Sequence, residues 1–273
     1  MRLAEFKPIL EYQFPDIKKV NVHKHKHPAA YRSDFGMAAD NNLSTAGGGY
    51  GVNDPRLLKR NKDVEHLGSG TFASAYTNPK TIPHDVRKIS KQQDRHDIDG
   101  FFFYMQGLAD NPDNTNPYFP RFREIKIYTH EHDEDPPFKD ERKDRITYSA
   151  QMERLYHLKE MSRTEEDAIL AKMLGPDRVT PNDVAQGTID QILKTTSRPF
   201  NGRAMRVIKF LLNEPQKIKD DIVDEDLINA TSWLREFSRT SGLRFDIHHE
   251  NIMYRKTPYG PQMVITDPYS YQS

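Results

Sequence analysis

Hydrophobic and polar positions divide the chain into three stretches of different rhythm. Residues 1–62 hold no sustained period. "VNVHKHKHPAAYRS" and "AADNNLSTAGGGYGVNDP" are rich in Gly, Asn and Pro, which predicts a loop-rich N-terminal arm with one short helix. From Asp63 the period shortens to two. "VEHLGSG" and "TFASAYT" predict two strands around a glycine turn, and "DVRKIS" predicts a third. "GFFFYMQGLAD" is a compact apolar run that predicts a helix. "RFREIKIYTHE" and "ITYSAQMERLY" predict a strand pair separated by the acidic, proline-containing loop "HDEDPPFKDERKD". Residues 63–157 therefore read as a β-rich half with one helix.

Beyond Leu158 the rhythm turns helical. "SRTEEDAILAKMLG" opens on a Ser/Thr–Glu capping signature and stops at Gly175. "TPNDVAQGTIDQILKTT", "RAMRVIKFLLNE" and "DEDLINATSWLREFSRTSG" predict three further helices. The last sets Leu227, Trp233, Leu234 and Phe237 on one face and ends at Gly242, a predicted C-cap. "LRFDIHHENIMYR", "KTPYGP" and "QMVITDP" then read as loop and strand, turn, and strand. The order is arm, β-half, helical half over 158–273, and within the latter a late hairpin carrying polar residues. The fold class is α+β.

Composition narrows the partners. The 273 residues suffice for one large domain or a two-lobed one. Forty basic and forty acidic residues cancel, which argues against a general nucleic-acid binder. The absence of cysteine removes disulfides and thiolate metal sites. No run reaches the length of a membrane span, and the start "MRLAEFKPILEYQF" lacks an apolar signal core, so a soluble cytoplasmic protein is expected. "HKHKH" (His23 to His27) has histidines at i, i+2 with lysines between, and reads as a solvated basic strip rather than a metal site.

Four features carry chemistry. In "HLGSGTFASAY", Gly68 and Gly70 sit between two strands, where the missing Cβ lets backbone N–H groups approach a phosphate. No Gly-Lys-Ser/Thr follows, so this is not a Walker A loop, and the glycines open no helix, which disfavours a dinucleotide fingerprint. Lys88 in "DVRKIS" shares a strand face with Val86 by the two-residue period, within reach of phosphates held under the glycine hairpin. Asp246 and Asn251 in "FDIHHENIM" are five apart in a loop; the aspartate can accept a proton from an attacking hydroxyl, and the asparagine oxygen can ligate Mg²⁺. Asp267 ends the apolar strand "VITDPYS", a place for a second metal-binding group. Each alone fits a turn, a cap or an exposed strand residue. Together they occur in the order that a protein-kinase-like phosphotransferase requires.

On "LGSGTFASAYTNP", "VRKIS", "FDIHHENIMY" and "ITDPYSY" the chain resembles the protein kinases of T7-like bacteriophages over residues 63–273. The resemblance implies a bilobal protein-kinase-like fold, with ATP and Mg²⁺ as donor and cofactor and Ser/Thr hydroxyls of host bacterial proteins as acceptors. It implies that Gly68, Ser69, Gly70, Thr71 and Phe72 cover the phosphates and Lys88 contacts them. Asp246 would be the catalytic base, His248 an aid in placing the γ-phosphate, and Asn251 and Asp267 the Mg²⁺ ligands. Met152 to Leu155, including Glu153, would form the hinge beside the adenine. The pattern departs in places. Ala73 replaces a third glycine, and Phe245 stands where regulated kinases carry Arg. Only Asp97 and Asp99 are offered as a carboxylate partner for Lys88, and Pro268 and Tyr269 follow Asp267. With no peptide platform after Asp267, docking falls to the arm or to the insertion between Leu158 and Glu225. Two other functions stay open at this point: a small-molecule phosphotransferase, and a non-catalytic kinase-fold protein that binds a host target. A zinc site on His248 and His249 is disfavoured, because adjacent residues rarely reach one ion together.

Overall fold

A computed structural model describes residues 21–24, 65–69, 73–77, 85–90, 93–94, 99–111, 115–130, 145–178, 187–194 and 202–270. The chain divides into two compact units, one of residues 1–102 and 121–154, the other of residues 103–120 and 155–273.

The first unit is built on a sheet. Its strands are β1 (Asn21–Lys24), β2 (Glu65–Ser69), β3 (Ala73–Thr77), β4 (Asp85–Ser90), β5 (Gln93–Asp94), β6 (Phe122–His130) and β7 (Arg145–Glu153). They lie in the order β1-β6-β7-β4-β3-β2, with the short β5 paired to β7. The five strands from β6 to β2 are antiparallel to their neighbours, and β1 adds in parallel to β6. Residues 21–24 are therefore a strand, not loop or helix: "NVHK" pairs Val22 with Ile127 and His23 with Tyr128, and the sheet edge supplies a partner that the arm's own sequence does not reveal. The rest of the arm lies outside the described residues, as do the loop 131–144 and Asp97.

The two faces of this sheet differ because paired residues on neighbouring strands share a side. Across one face runs a row of Gly68, Ala75, Lys88, Ala150 and Ile125. Opposite it, Arg87 donates to Ser149 Oγ at 3.3 Å, Gln151 Oε1 at 3.0 Å and Glu124 Oε2 at 3.3 Å, while Gln151 and Arg123 both reach the Asp85 carboxylate. Arg87 and Asp85 are buried, and each has the partners a buried charge needs.

The helix α1 (Gly100–Asp110) starts in the first unit and continues in the second. Asp99 forms its N-terminal cap, accepting from Phe102 N–H at 2.8 Å on one oxygen and from Tyr148 Oη–H at 2.8 Å on the other. The sequence pattern assigned all of 63–157 to one half. Residues 103–120 cluster with the second unit instead, because Tyr104 bonds the Ile265 carbonyl, Tyr118 bonds Asp224, and Arg255 holds the carbonyls of Pro117 and Phe119.

The second unit carries the helices α2 (Arg163–Leu174), α3 (Thr188–Lys194), α4 (Arg203–Asn213) and α5 (Glu225–Ser241). It also carries the strands β8 (Tyr156–His157), β9 (Arg244–Phe245), β10 (Ile252–Thr257), β11 (Gly260–Ile265) and β12 (Tyr269–Ser270). The capping box predicted for α2 is present, with Ser162 Oγ accepting from Glu165 N–H and the Glu165 carboxylate from Ser162 N–H. Of the helix expected over "TPNDVAQGTIDQILKTT", the described part is α3; the rest lies outside the described residues. α5 opens on the Asp224 cap and ends at Gly242, whose φ of 74° is a left-handed conformation that glycine adopts without strain. Its Trp233 stacks on Phe237 with centroids 5.1 Å apart and joins Tyr104, Phe119 and Tyr269 in one aromatic cluster.

α1 approaches α5 so closely at Gly107 that a Cβ there would lie 2.4 Å from Phe237 Cε2. The half-buried ring packs against Trp233 and Tyr269, which it must disturb in order to give way. Gly107→Ala is expected to destabilise the protein by about 1–3 kcal/mol through overpacking. Urea denaturation checks this, and relief by Phe237→Leu in the same background would tie the loss to that contact. Among the described residues, no helix is long and apolar enough to cross a membrane.

Candidate functional site

In the second unit the two polar stretches expected to act together are neighbours. Asp246 follows β9, Asn251 precedes β10, and Asp267 follows β11. β10 and β11 form an antiparallel hairpin that pairs Ile252 with Ile265, which sets Asn251 beside the end of β11. The Asn251 carbonyl then accepts from Thr266 N–H at 2.9 Å, Thr266 Oγ1–H at 2.8 Å and Asp267 N–H at 3.3 Å. β9 and β12 close the other side, pairing Phe245 with Tyr269, and Asp246 N–H donates to the Pro268 carbonyl at 2.8 Å. The loop and the strand end are thus joined largely through backbone atoms.

The Asn251 amide is oriented by one of these contacts. Its Nδ2 donates to the Asp246 carbonyl at 2.8 Å. A carbonyl accepts only from the amide nitrogen, so the side chain is fixed with Oδ1 turned to its other side as an acceptor. An oxygen so held suits a hard cation. Among the described residues, no group of three or more His, Asp or Glu side chains gathers as a ready metal cage. One carboxylate and one amide oxygen match the habit of Mg²⁺, which keeps several waters and takes the rest of its shell from phosphate.

Packing beneath the site is aromatic. Tyr269 stacks on Phe245 with centroids 5.5 Å apart and donates its hydroxyl to the Leu234 carbonyl at 2.6 Å. Tyr104 donates to the Ile265 carbonyl at 2.8 Å, two residues before Asp267. Burial above all, with the Tyr269 hydroxyl and the Asp267 carboxylate adding, pushes the Tyr104 phenol well above its ordinary range. It therefore stays protonated and keeps donating across the neutral range. Tyr104 carries no signal in the sequence, since an aromatic in a helix reads as core, and Tyr269 stood out there only as a departure from the kinase pattern after Asp267.

The two histidines separate. His248 Nδ1 accepts from Glu250 N–H at 3.3 Å, which leaves the neutral ring's proton on Nε2, 3.6 Å from the Asp246 carboxylate. His249 is exposed and turned to Glu250, its ring 6.0 Å from that of His248.

In the first unit, Gly68 and Ser69 end β2, and Gly70, Thr71 and Phe72 lie outside the described residues. A Cβ on Gly68 would meet nothing within 4 Å, so this bare backbone faces open space in line with Lys88. Lys88 is half-buried on β4, with its ammonium 3.4 Å from the centroid of the Phe101 ring. Asp99, expected as a possible partner for Lys88, is the α1 cap described above. Met152 and Glu153 end β7, Leu155 is buried, and Glu153 exchanges two hydrogen bonds with Arg121, as N–H donor to its carbonyl and as carboxylate acceptor. Phe101 and the backbone of Thr266 and Pro268 are the contributors the sequence reading passed over. A helix whose first turn has aromatics and no acid was the available signal for Phe101.

Comparison with known proteins adds no assignment: no protein-family model matches the chain, and no curated protein matches it.

Proposed function

We propose that this chain is a Mg²⁺-ATP-dependent phosphotransferase of bilobal, protein-kinase-like fold, transferring the γ-phosphoryl group to Ser/Thr hydroxyls of host bacterial proteins. The observation that carries the reading is the Asn251 junction. One residue, through its carbonyl and its amide, ties the proposed base loop at Asp246 to the proposed metal-binding strand end at Asp267. Two further features support it. Gly68 and Lys88 stand in register on one face, with the glycine in the first strand of a hairpin and the lysine on the next strand, as kinases require. One of the three points at which the chain passes between the two units falls between Arg154 and Leu155, within the hinge segment that the resemblance implies.

In this reading Asp246 orients the acceptor hydroxyl and takes its proton as the oxygen attacks the γ-phosphorus. The bond to the β–γ bridging oxygen breaks and ADP departs. Lys88 and Gly68 hold the phosphates of the donor. Mg²⁺, when bound, neutralises charge on the transferred group, and Asn251 Oδ1 and the Asp267 carboxylate are the groups that would hold it. The Asp246–His248 contact favours a second reading, a small-molecule acceptor, since small-molecule phosphotransferases often carry histidine at that position.

Isothermal calorimetry with ATP tests the reading. Wild type is expected to bind ATP in the presence of Mg²⁺ and far more weakly without it. A bond to a charged group contributes about 1.5–3 kcal/mol, so Lys88→Ala is expected to raise Kd about 10–100-fold. Absence of Mg²⁺-dependent binding by the wild type would leave the non-catalytic binder as the better reading.

A further inference from the structure

We propose that Thr266 is the residue that positions Asn251 for Mg²⁺; the inference rests on the phosphotransferase reading above. Asn251 is held at several atoms. Its N–H donates to the His248 carbonyl at 3.1 Å, and its Nδ2 to the Asp246 carbonyl at 2.8 Å. Its own carbonyl accepts from Thr266 N–H, Asp267 N–H and Thr266 Oγ1–H. Among the described residues, backbone atoms supply every partner but one. The Thr266 hydroxyl, at 2.8 Å, is the partner that depends on which residue the sequence places there. Thr266 is buried, and a buried hydroxyl needs such a bond.

The consequence for the metal-binding oxygen is geometric. The carbonyl and the side chain of Asn251 branch from one Cα. Fixing the carbonyl and fixing Nδ2 together leave Oδ1 one direction. The hydroxyl is the third donor on that carbonyl and opposes rotation of the peptide. An acceptor already held in its bound direction has less freedom to lose when a cation arrives, which strengthens binding. The same carbonyl takes Asp267 N–H, so both proposed ligands are referred to one atom. Thr266 touches neither phosphate donor nor acceptor in this scheme; it acts through Asn251.

The test reads the metal-free protein first. In ¹⁵N-labelled protein the Asn251 side-chain amide is expected to exchange with solvent slowly, with Asn251→Asp assigning the signal. Protection should fall about tenfold in T266A and hold in T266S. Calorimetry with ATP then follows the Mg²⁺ requirement. T266A is expected to raise the Mg²⁺ concentration for half-maximal ATP binding about three- to tenfold, the worth of one hydrogen bond, with T266S close to wild type. T266V, which keeps the volume and lacks the hydroxyl, should behave as T266A does. Both should fold, because two N–H donors still satisfy the Asn251 carbonyl. An Asn251 amide equally protected in T266A and T266V, or an unchanged Mg²⁺ requirement, would overturn the proposal and leave the hydroxyl as support for the loop alone. A wild type whose ATP binding does not depend on Mg²⁺ would instead overturn the phosphotransferase reading, and this assignment with it.

Discussion

Asp246→Ala is expected to lower phosphoryl transfer about 10²–10⁴-fold, the range that a positioned base contributes, without loss of the fold. The structure explains why the two effects should separate. Asp246 serves the site's architecture through its backbone, donating its N–H to Pro268 and accepting Asn251 Nδ2 on its carbonyl. An alanine keeps both bonds. The side chain is about half exposed, with His248 at 3.6 Å as its neighbour, so its removal strands no buried partner. Surface substitutions of this kind stay within about 0.5 kcal/mol of the parent stability. Urea denaturation beside the transfer assay checks both halves. A large stability loss would mean that the loop is structural, and an unchanged rate would mean that Asp246 is not the base.

Glu166→Ala is expected to produce the largest loss of stability. Glu166 on α2 and Arg203 at the start of α4 are both buried, and Arg203 Nε lies 3.0 Å from Glu166 Oε2. The other oxygen accepts the backbone N–H groups of Arg203 at 2.9 Å and Ala204 at 3.5 Å, where the N-cap Gly202 has no side chain to offer. Removing the carboxylate thus uncaps a helix and strips a buried guanidinium of a partner at once. Breaking a buried pair costs about 3–5 kcal/mol, and because Asp167 still bonds Arg203 at 2.6 Å the lower end, about 3 kcal/mol, is expected. Against a total stability of about 5–15 kcal/mol this is a large fraction. The urea midpoint should fall with little change in slope. Glu166→Gln, which keeps an acceptor but not the charge, should lose less, and a loss equal to that of alanine would show that the neutral acceptor contributes nothing.

Local rules made much of the fold legible. The strand "DVRKIS", the helix "GFFFYMQGLAD" and the α5 segment with its Gly242 cap match the structure because period and breakers there agree with one another. Contacts made across the chain were not legible. Glu166 sits next to a capping glutamate and reads as one more exposed first-turn acid; only Arg203, 37 residues on, makes it a buried partner. β1 pairs with β6 across about a hundred residues of chain, a separation that no local pattern marks. At the candidate site the residue types Asp246, Asn251, Asp267 and Lys88 could be singled out from spacing. The Asn251 junction that joins three of them depends on backbone atoms, which every residue carries and no sequence pattern marks. Phe101 was hidden for a related reason, since an apolar residue in a helix reads as core whether or not a cation rests on it.

The most direct test of the central claim is transfer of label from γ-labelled ATP with Mg²⁺, comparing wild type, Asp246→Ala and His249→Ala, each alone and with bacterial extract. The proposed function predicts acid-stable label on discrete proteins with wild type and His249→Ala, and none with Asp246→Ala. Labelling by Asp246→Ala equal to wild type, or no labelling and no ATP turnover by the wild type, would contradict it.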